Sequence, residues 1–170
     1  MITRFGKYGN MDKQLEINSK EIIKSLDNLN DRFSGKKILL TGAAGFLGCQ
    51  FTHYFKLLNE SNNIDKPCHV YAWDNYLRGV PEWMNDLKNN PGITINKRDI
   101  IRDTDYPHPD YIIHAASIAS PTFYRKYPIE TIDSNVTGLR NILDYSKNNN
   151  VESVLFFSTS EIYGDPDPAH

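Results

Sequence analysis

At 170 residues, 39% of them hydrophobic, the chain is long enough for one domain with a sizeable core. Nineteen Lys and Arg against 21 Asp and Glu leave a net charge of −2, which removes the electrostatic case for nucleic acid or an anionic membrane surface as partner. No apolar run approaches the ~18 residues of a spanning helix, and Met1 to Lys7 lacks the apolar core of a secretory leader. The two cysteines, Cys49 and Cys68, form no metal pattern; they read as reduced packing residues, and a cytoplasmic location is expected.

In chain order, Leu15, Ile22, Ile23, Leu26, Leu29 and Phe33 recur at helical spacing between lysines and acids, which predicts one amphipathic helix from about Asp12 to Asn30. Residues 1–35 are thus a helical extension. It either docks a second subunit or domain, or folds back on its own core. The short apolar run Ile38 to Leu40 suits a buried parallel strand. Gly42, Gly45 and Gly48 follow at a spacing of three, and Phe46, Leu47, Phe51, Phe55 and Leu58 then read as a helix. A strand turning through glycines into a helix N-terminus is an anion site, because backbone N–H groups point outward and the helix dipole favours negative charge. Gly42 permits the tight turn, Gly45 lets the backbone approach a pyrophosphate, and Gly48 lets the helix pack closely on the strand.

Ser61-Asn62-Asn63 marks a loop, and Cys68 to Asp74 reads as the second strand. Asp74 stands where a carboxylate accepts hydrogen bonds from the ribose hydroxyls of an adenosine and repels a 2′-phosphate, which favours NAD over NADP; Arg78 works against that preference. Pro81 opens a short helix over Glu82 to Lys88, and Pro91-Gly92 ends it. Ile93 to Lys97 alternates as a third strand. Tyr106 to Pro109 is a turn-rich loop in which His108 reads as solvated. Tyr111 to Ala116 is the fourth strand, with His114 a packed structural residue and small residues at its end that let a cofactor backbone pass. Ser117 to Pro121 leaves the sheet on that same side.

A short helix is predicted over Thr122 to Lys126, and a long one from Pro128 to Leu143 with apolar residues at Ile132, Val136, Leu139 and Leu143. Asn148-Asn149-Asn150 closes it. Ser153 to Ser158 is the fifth strand, running into Thr159-Ser160-Glu161. Alternating strands and helices imply an α/β fold: a doubly wound, Rossmann-like parallel sheet of order 3-2-1-4-5 over residues 36–170, its ligand crevice between strands 1 and 4.

Two segments are more specific. One is His114-Ala115-Ala116-Ser117-Ile118-Ala119-Ser120-Pro121 followed by Tyr124, Tyr127-Pro128-Ile129 and Asn135-Val136-Thr137-Gly138. The other is Ser158-Thr159-Ser160-Glu161-Ile162-Tyr163-Gly164-Asp165-Pro166. With the G-x-x-G-x-x-G turn, they resemble the NAD-dependent epimerase/dehydratase family, the extended short-chain dehydrogenases acting on nucleotide sugars, and within it the UDP-glucuronate decarboxylase branch. The likeness covers about Lys36 to Pro166.

The resemblance implies NAD held by Gly42, Gly45, Phe46, Leu47, Gly48, Asp74, Asn75, Asp99, Ile100, Ala115, Ala116 and Ser117, with Asp99 and Ile100 beside the adenine. It implies a sugar pocket lined by Ser117, Ala119, Ser120, Pro121, Tyr124 and Ser160. Thr159 matches the residue that hydrogen-bonds the reacting hydroxyl, and Glu161 an active-site carboxylate near the sugar ring. Related 4,6-dehydratases carry Asp at the position of Ser160, an acid for the departing hydroxide; serine cannot do that at neutral pH, so decarboxylation or epimerisation is preferred. No metal is implied.

The family's base is the Tyr of a Tyr-x-x-x-Lys pair, and Lys stands four positions after none of the ten tyrosines. The expectation is therefore the N-terminal part of a longer enzyme, inactive by itself and homodimeric in full-length form. The alternatives are a nucleotide-sugar 4-epimerase or 4,6-dehydratase, a non-catalytic NAD or nucleotide-sugar binding module, and an interaction protein docking through residues 1–35.

Overall fold

The computed structural model describes residues 9–165, with side chains for 13–159 and 162–165. Five strands form one parallel sheet: β1 (Lys37–Thr41), β2 (His69–Asp74), β3 (Ile93–Lys97), β4 (Tyr111–His114) and β5 (Ser153–Phe156). Their order is β3-β2-β1-β4-β5. Thr41, the last residue of β1, is in register with Trp73 on one side and His114 on the other, so the chain leaves the sheet at one level on all three strands.

The strands are apolar on both faces because helices cover both, and the period of two divides them. Ile38, Leu40, Val70, Ala72 and Ile113 join one cluster with Phe55 and Leu58 of α2 (Phe46–Glu60). Leu39, Trp73 and Ile112 face the other way, against Tyr106 and Ile142.

The N-terminal helix α1 spans Gly9–Leu26, earlier in the chain than the predicted 12–30. Asp27, with φ of +43°, turns it into a 3-10 segment, Asp27–Phe33. Asn30 explains the turn: its amide Nδ2 donates to the carbonyls of Ile23 and Asp27, both at 2.8 Å, and its Oδ1 accepts from Tyr54 of α2, also at 2.8 Å. Leu15 and Ile23 are buried in the α2 cluster, so α1 is folded back on the domain's own core.

Glu82–Leu87 is a 3-10 turn. The region after β4 comprises α3 (Pro121–Lys126), α4 (Pro128–Asp133), a π turn (Ser134–Gly138) and α5 (Leu139–Asn148). The apolar stripe read from the sequence does not face the core: Ile132, Val136 and Leu143 are exposed, as is Ile129. Ser134, Gly138 and Ile142 are buried instead. Both cysteines are buried and free. No described helix is long and apolar enough to cross a membrane.

Candidate functional site

Where β1 ends, Gly42 takes φ of +71°, a left-handed conformation that favours glycine. A Cβ there would lie 2.5 Å from the Ala115 carbonyl oxygen, and one on Gly48 would lie 2.2 Å from the Gly42 oxygen. The turn therefore lies directly on the end of β4, and the first turn of α2 on the glycine turn. Gly45 caps α2 without a side-chain hydrogen bond, and no acidic residue occupies the first helical turn. The backbone donors of that turn are thus left to an external acceptor.

Asp74, at the end of β2, is tied to this turn. Its Oδ2 accepts the Ala44 N–H at 3.0 Å, and its Oδ1 accepts the N–H of Tyr76 at 2.7 Å, where Tyr76 takes φ of +57°. Burial raises its pKa from the ordinary value, while those two N–H groups and the charge of Arg78 oppose the rise. Next to it Asn75, Leu77, Lys97, Arg98, Asp99 and Asp103 line a cavity of about 340 Å³. Asn75 and Asp99, far apart in sequence, thus meet in one hollow. Ile100 turns inward and is buried.

At the other side of the turn, Thr41 Oγ1 and His114 Nδ1 are hydrogen-bonded at 2.7 Å, which joins β1 to β4 at their ends. His114 stacks on Phe156, with centroids 5.5 Å apart, and burial holds its pKa down at about 4, so it is neutral and structural. Ala115 and Ala116 are half-buried beside the turn, whereas Ser117 and Ala119 are exposed. The Ser120 carbonyl caps α3 by accepting the N–H groups of Phe123 and Tyr124, both at 2.9 Å. Pro121 opens that helix, and Tyr124 is exposed. The Arg78 guanidinium lies 5.5 Å from the Phe123 ring, so the loop after β2 reaches α3.

Phe46 and Leu47 present exposed side chains on the first turn of α2. Beyond β5, Ser158 adopts φ of +56° and delivers Thr159 at the exposed carboxyl end of the sheet. Backbone strain of this kind is costly and often marks working sites. Ser160 and Glu161 begin the 3-10 turn Ser160–Tyr163; their side chains lie outside those described.

Sequence reasoning gave no role to Asn141 or Gly138, although both touch the 99–101 loop; the polar and small residues of an amphipathic helix are easily passed over. A larger cavity, about 560 Å³, lies between α1 and the far end of α2, lined by Glu16, Lys20 and Glu60 among others. It is open, of mixed charge, and at the opposite end of α2 from the glycine turn. Among the described residues, no group of three or more His, Cys, Asp or Glu could hold a metal ion.

Known proteins resemble this chain at three levels: family, sequence and fold. The model of the NAD-dependent epimerase/dehydratase family matches residues 38–170. UDP-glucuronic acid decarboxylase 6 of Arabidopsis thaliana is 34% identical over 139 residues, 81% of this chain and 38% of that protein. UDP-glucuronic acid decarboxylase 1 of Danio rerio is 33% identical over 132 residues, 78% of this chain and 29% of that protein. The chain spans about two fifths or less of the curated relatives it matches. The structure of UDP-N-acetylglucosamine 4-epimerase from Methanobrevibacter ruminantium superposes with a TM-score of 0.58 at 25% identity, over 79% of this chain and 41% of that one. DesIV, the dTDP-glucose 4,6-dehydratase of Streptomyces venezuelae, superposes with a TM-score of 0.65 at 23% identity, over 77% and 42%.

Proposed function

The chain belongs to the NAD-dependent epimerase/dehydratase family, and from that premise we propose that it forms the cofactor-binding part of a nucleotide-sugar enzyme, a lyase of the UDP-glucuronate decarboxylase type. The observation that carries the reading is Asp74, held between the glycine turn through Ala44 and the adjoining cavity. The residues fit a dinucleotide. The turn is a cradle that side chains at Gly42 or Gly48 would fill, its helix donors are uncapped, and the carboxylate suits an unphosphorylated ribose.

NAD, when bound, would supply reversible hydride acceptance at sugar C4. The chain's own residues do the rest. The glycine turn would hold the pyrophosphate, Asp74 would orient the adenosine ribose, and Ala115 to Ser117 would leave room for the nicotinamide side. Thr159 orients the reacting hydroxyl by a hydrogen bond, and Ser120, Pro121 and Tyr124 bound the sugar. A 4-ketone in a uronic acid lies β to the carboxylate, so loss of CO2 leaves a delocalised enolate. Ser160 offers no acid for dehydration.

The names of the curated relatives support decarboxylation. The exposed apolar stripe Ile129, Ile132, Val136 and Leu143 supports homodimerisation, and the buried free cysteines support a reducing, cytoplasmic location. Incubating the full-length enzyme with UDP-glucuronate, UDP-glucose and dTDP-glucose tests the reading. CO2 release from the first alone is expected, and conversion of UDP-glucose instead would replace it with a 4-epimerase. Residues 1–170 by themselves are expected to bind NAD without turnover, since they lack a Tyr-x-x-x-Lys pair; turnover by these residues alone would refute that assignment.

A further inference from the structure

We propose that Asn141, in α5 just after the π turn, is a positioning residue for the base-binding subsite: it fixes the loop that presents Asp99 to the cavity. The inference rests on the dinucleotide reading and gives Asn141 and Gly138 roles that the sequence reading did not assign.

The 98–103 loop connects β3 to the rest of the chain and contributes Arg98, Asp99 and Asp103 to the cavity wall. Restraints within it are local. The Asp103 carboxylate accepts the Asp99 N–H at 2.6 Å, and Asp99 Oδ1 accepts the Ile101 N–H at 3.1 Å. Such a loop can close on itself and still swing as a unit. Its first residue is pinned to β2, where the Arg98 N–H donates to the Asp74 carbonyl at 3.0 Å and the guanidinium lies 5.6 Å from the Trp73 ring; the helix holds the part that follows Asp99. Asn141 Nδ2 donates to two successive carbonyls, Ile100 at 3.0 Å and Ile101 at 3.1 Å. Three residues earlier, Gly138 lies against Ile100; a Cβ there would come within 2.5 Å of Ile100 Cδ1. Residues 138 and 141 share a helix face by their spacing, and Ile142 beside them is fully buried under the sheet.

Ser134 and Gly138 within the π turn and Ile142 four residues on take the buried face of this segment, while Ile132 ahead of the turn and Val136 within it stay in solvent.

The loop's chemistry predicts the purpose of the clamp. Asp99 places a carboxylate, an acceptor, on the cavity wall. It accepts from the 6-amino group of adenine and repels the 6-oxo group of hypoxanthine. That discrimination requires the acceptor to be held to within a few tenths of an ångström, and Asn141 supplies the hold.

Equilibrium titration of the protein with NAD and with nicotinamide hypoxanthine dinucleotide tests this, in the wild type and in Asn141→Asp. Aspartate keeps the volume but turns a carboxylate toward two carbonyl oxygens. The wild type is expected to prefer NAD about tenfold or more; in the variant NAD affinity falls about tenfold and the preference shrinks to about twofold or less. Equal losses for both dinucleotides, unchanged affinities, or a wild type without the preference would overturn the proposal. Gly138→Ala displaces the loop through Ile100 instead and is expected to narrow the preference in the same way. It decides the matter if Asn141→Asp does not fold. A wild type that binds neither dinucleotide sinks the dinucleotide reading itself, a result distinct from the others.

Discussion

Gly42→Ala isolates the close approach on which the site depends. Two costs arise. The residue has φ of +71°, and holding an L-residue in the left-handed region costs about 1–2 kcal/mol. The new Cβ would also lie 2.5, 2.6 and 2.7 Å from the Ala115 oxygen, the Ala115 carbonyl carbon and the Ala116 Cα. All three are backbone atoms at the end of a central strand, so the overlap cannot be relieved by a rotamer change, and forced overpacking of this kind costs about 1–3 kcal/mol.

The total, about 2–5 kcal/mol, corresponds to a fall in Tm of roughly 5–20 °C for a domain of this size. Gly79 is the internal control. Its φ is +89°, but nothing lies within 4 Å of a Cβ built there, so Gly79→Ala carries the strain alone and loses about 1–2 kcal/mol. The entropy removed from the unfolded chain is the same in both variants and cancels. Urea unfolding of the two variants beside the wild type gives the difference, and an NAD titration at a temperature where all are folded is expected to show binding lost only in Gly42→Ala. If the variants fall within about 0.5 kcal/mol of one another, the contact between the glycine turn and β4 does not constrain the fold.

Two further outcomes are expected. His114 is neutral in the folded state with its pKa near 4, against 6.5 for the free side chain, so protons favour the unfolded chain. Its contribution is intact above about pH 6.5 and is lost as pH falls toward 4, a loss of about 3 kcal/mol. Denaturation midpoints between pH 7 and 4 are expected to fall more steeply in the wild type than in His114→Gln, and parallel slopes would refute the assignment. Asn30→Ala removes a donor from the Ile23 and Asp27 carbonyls and the acceptor of the buried Tyr54 hydroxyl. It is expected to cost about 2–4 kcal/mol, and a loss below 1 kcal/mol in urea unfolding would mean that α1 is held by its apolar contacts alone.

The sequence alone determined the order of elements, the glycine turn and the place of Asp74 as the carboxylate after β2. These are legible because they rest on short-range patterns: apolar runs between turn residues, glycines at a spacing of three, and an alternation of strands and helices that implies a parallel sheet with right-handed crossovers. Periodicity also marked α1 as amphipathic but left open what its apolar face meets. That was decided by Leu15, Ile23 and the Asn30–Tyr54 bond, whose partners lie on α2. The long helix misled for a related reason. Its apolar residues Ile129, Ile132, Val136 and Leu143 face solvent, and Ser134, Gly138 and Ile142, also at helical spacing, take the buried face instead. Asn75 and Asp99 share a cavity, and Asp74 holds the glycine turn at Ala44, only because parallel strands bring their ends to one level. Local pattern sets which face of an element is apolar; which residues meet depends on contacts across long stretches of chain, and those exist only once the sheet has formed.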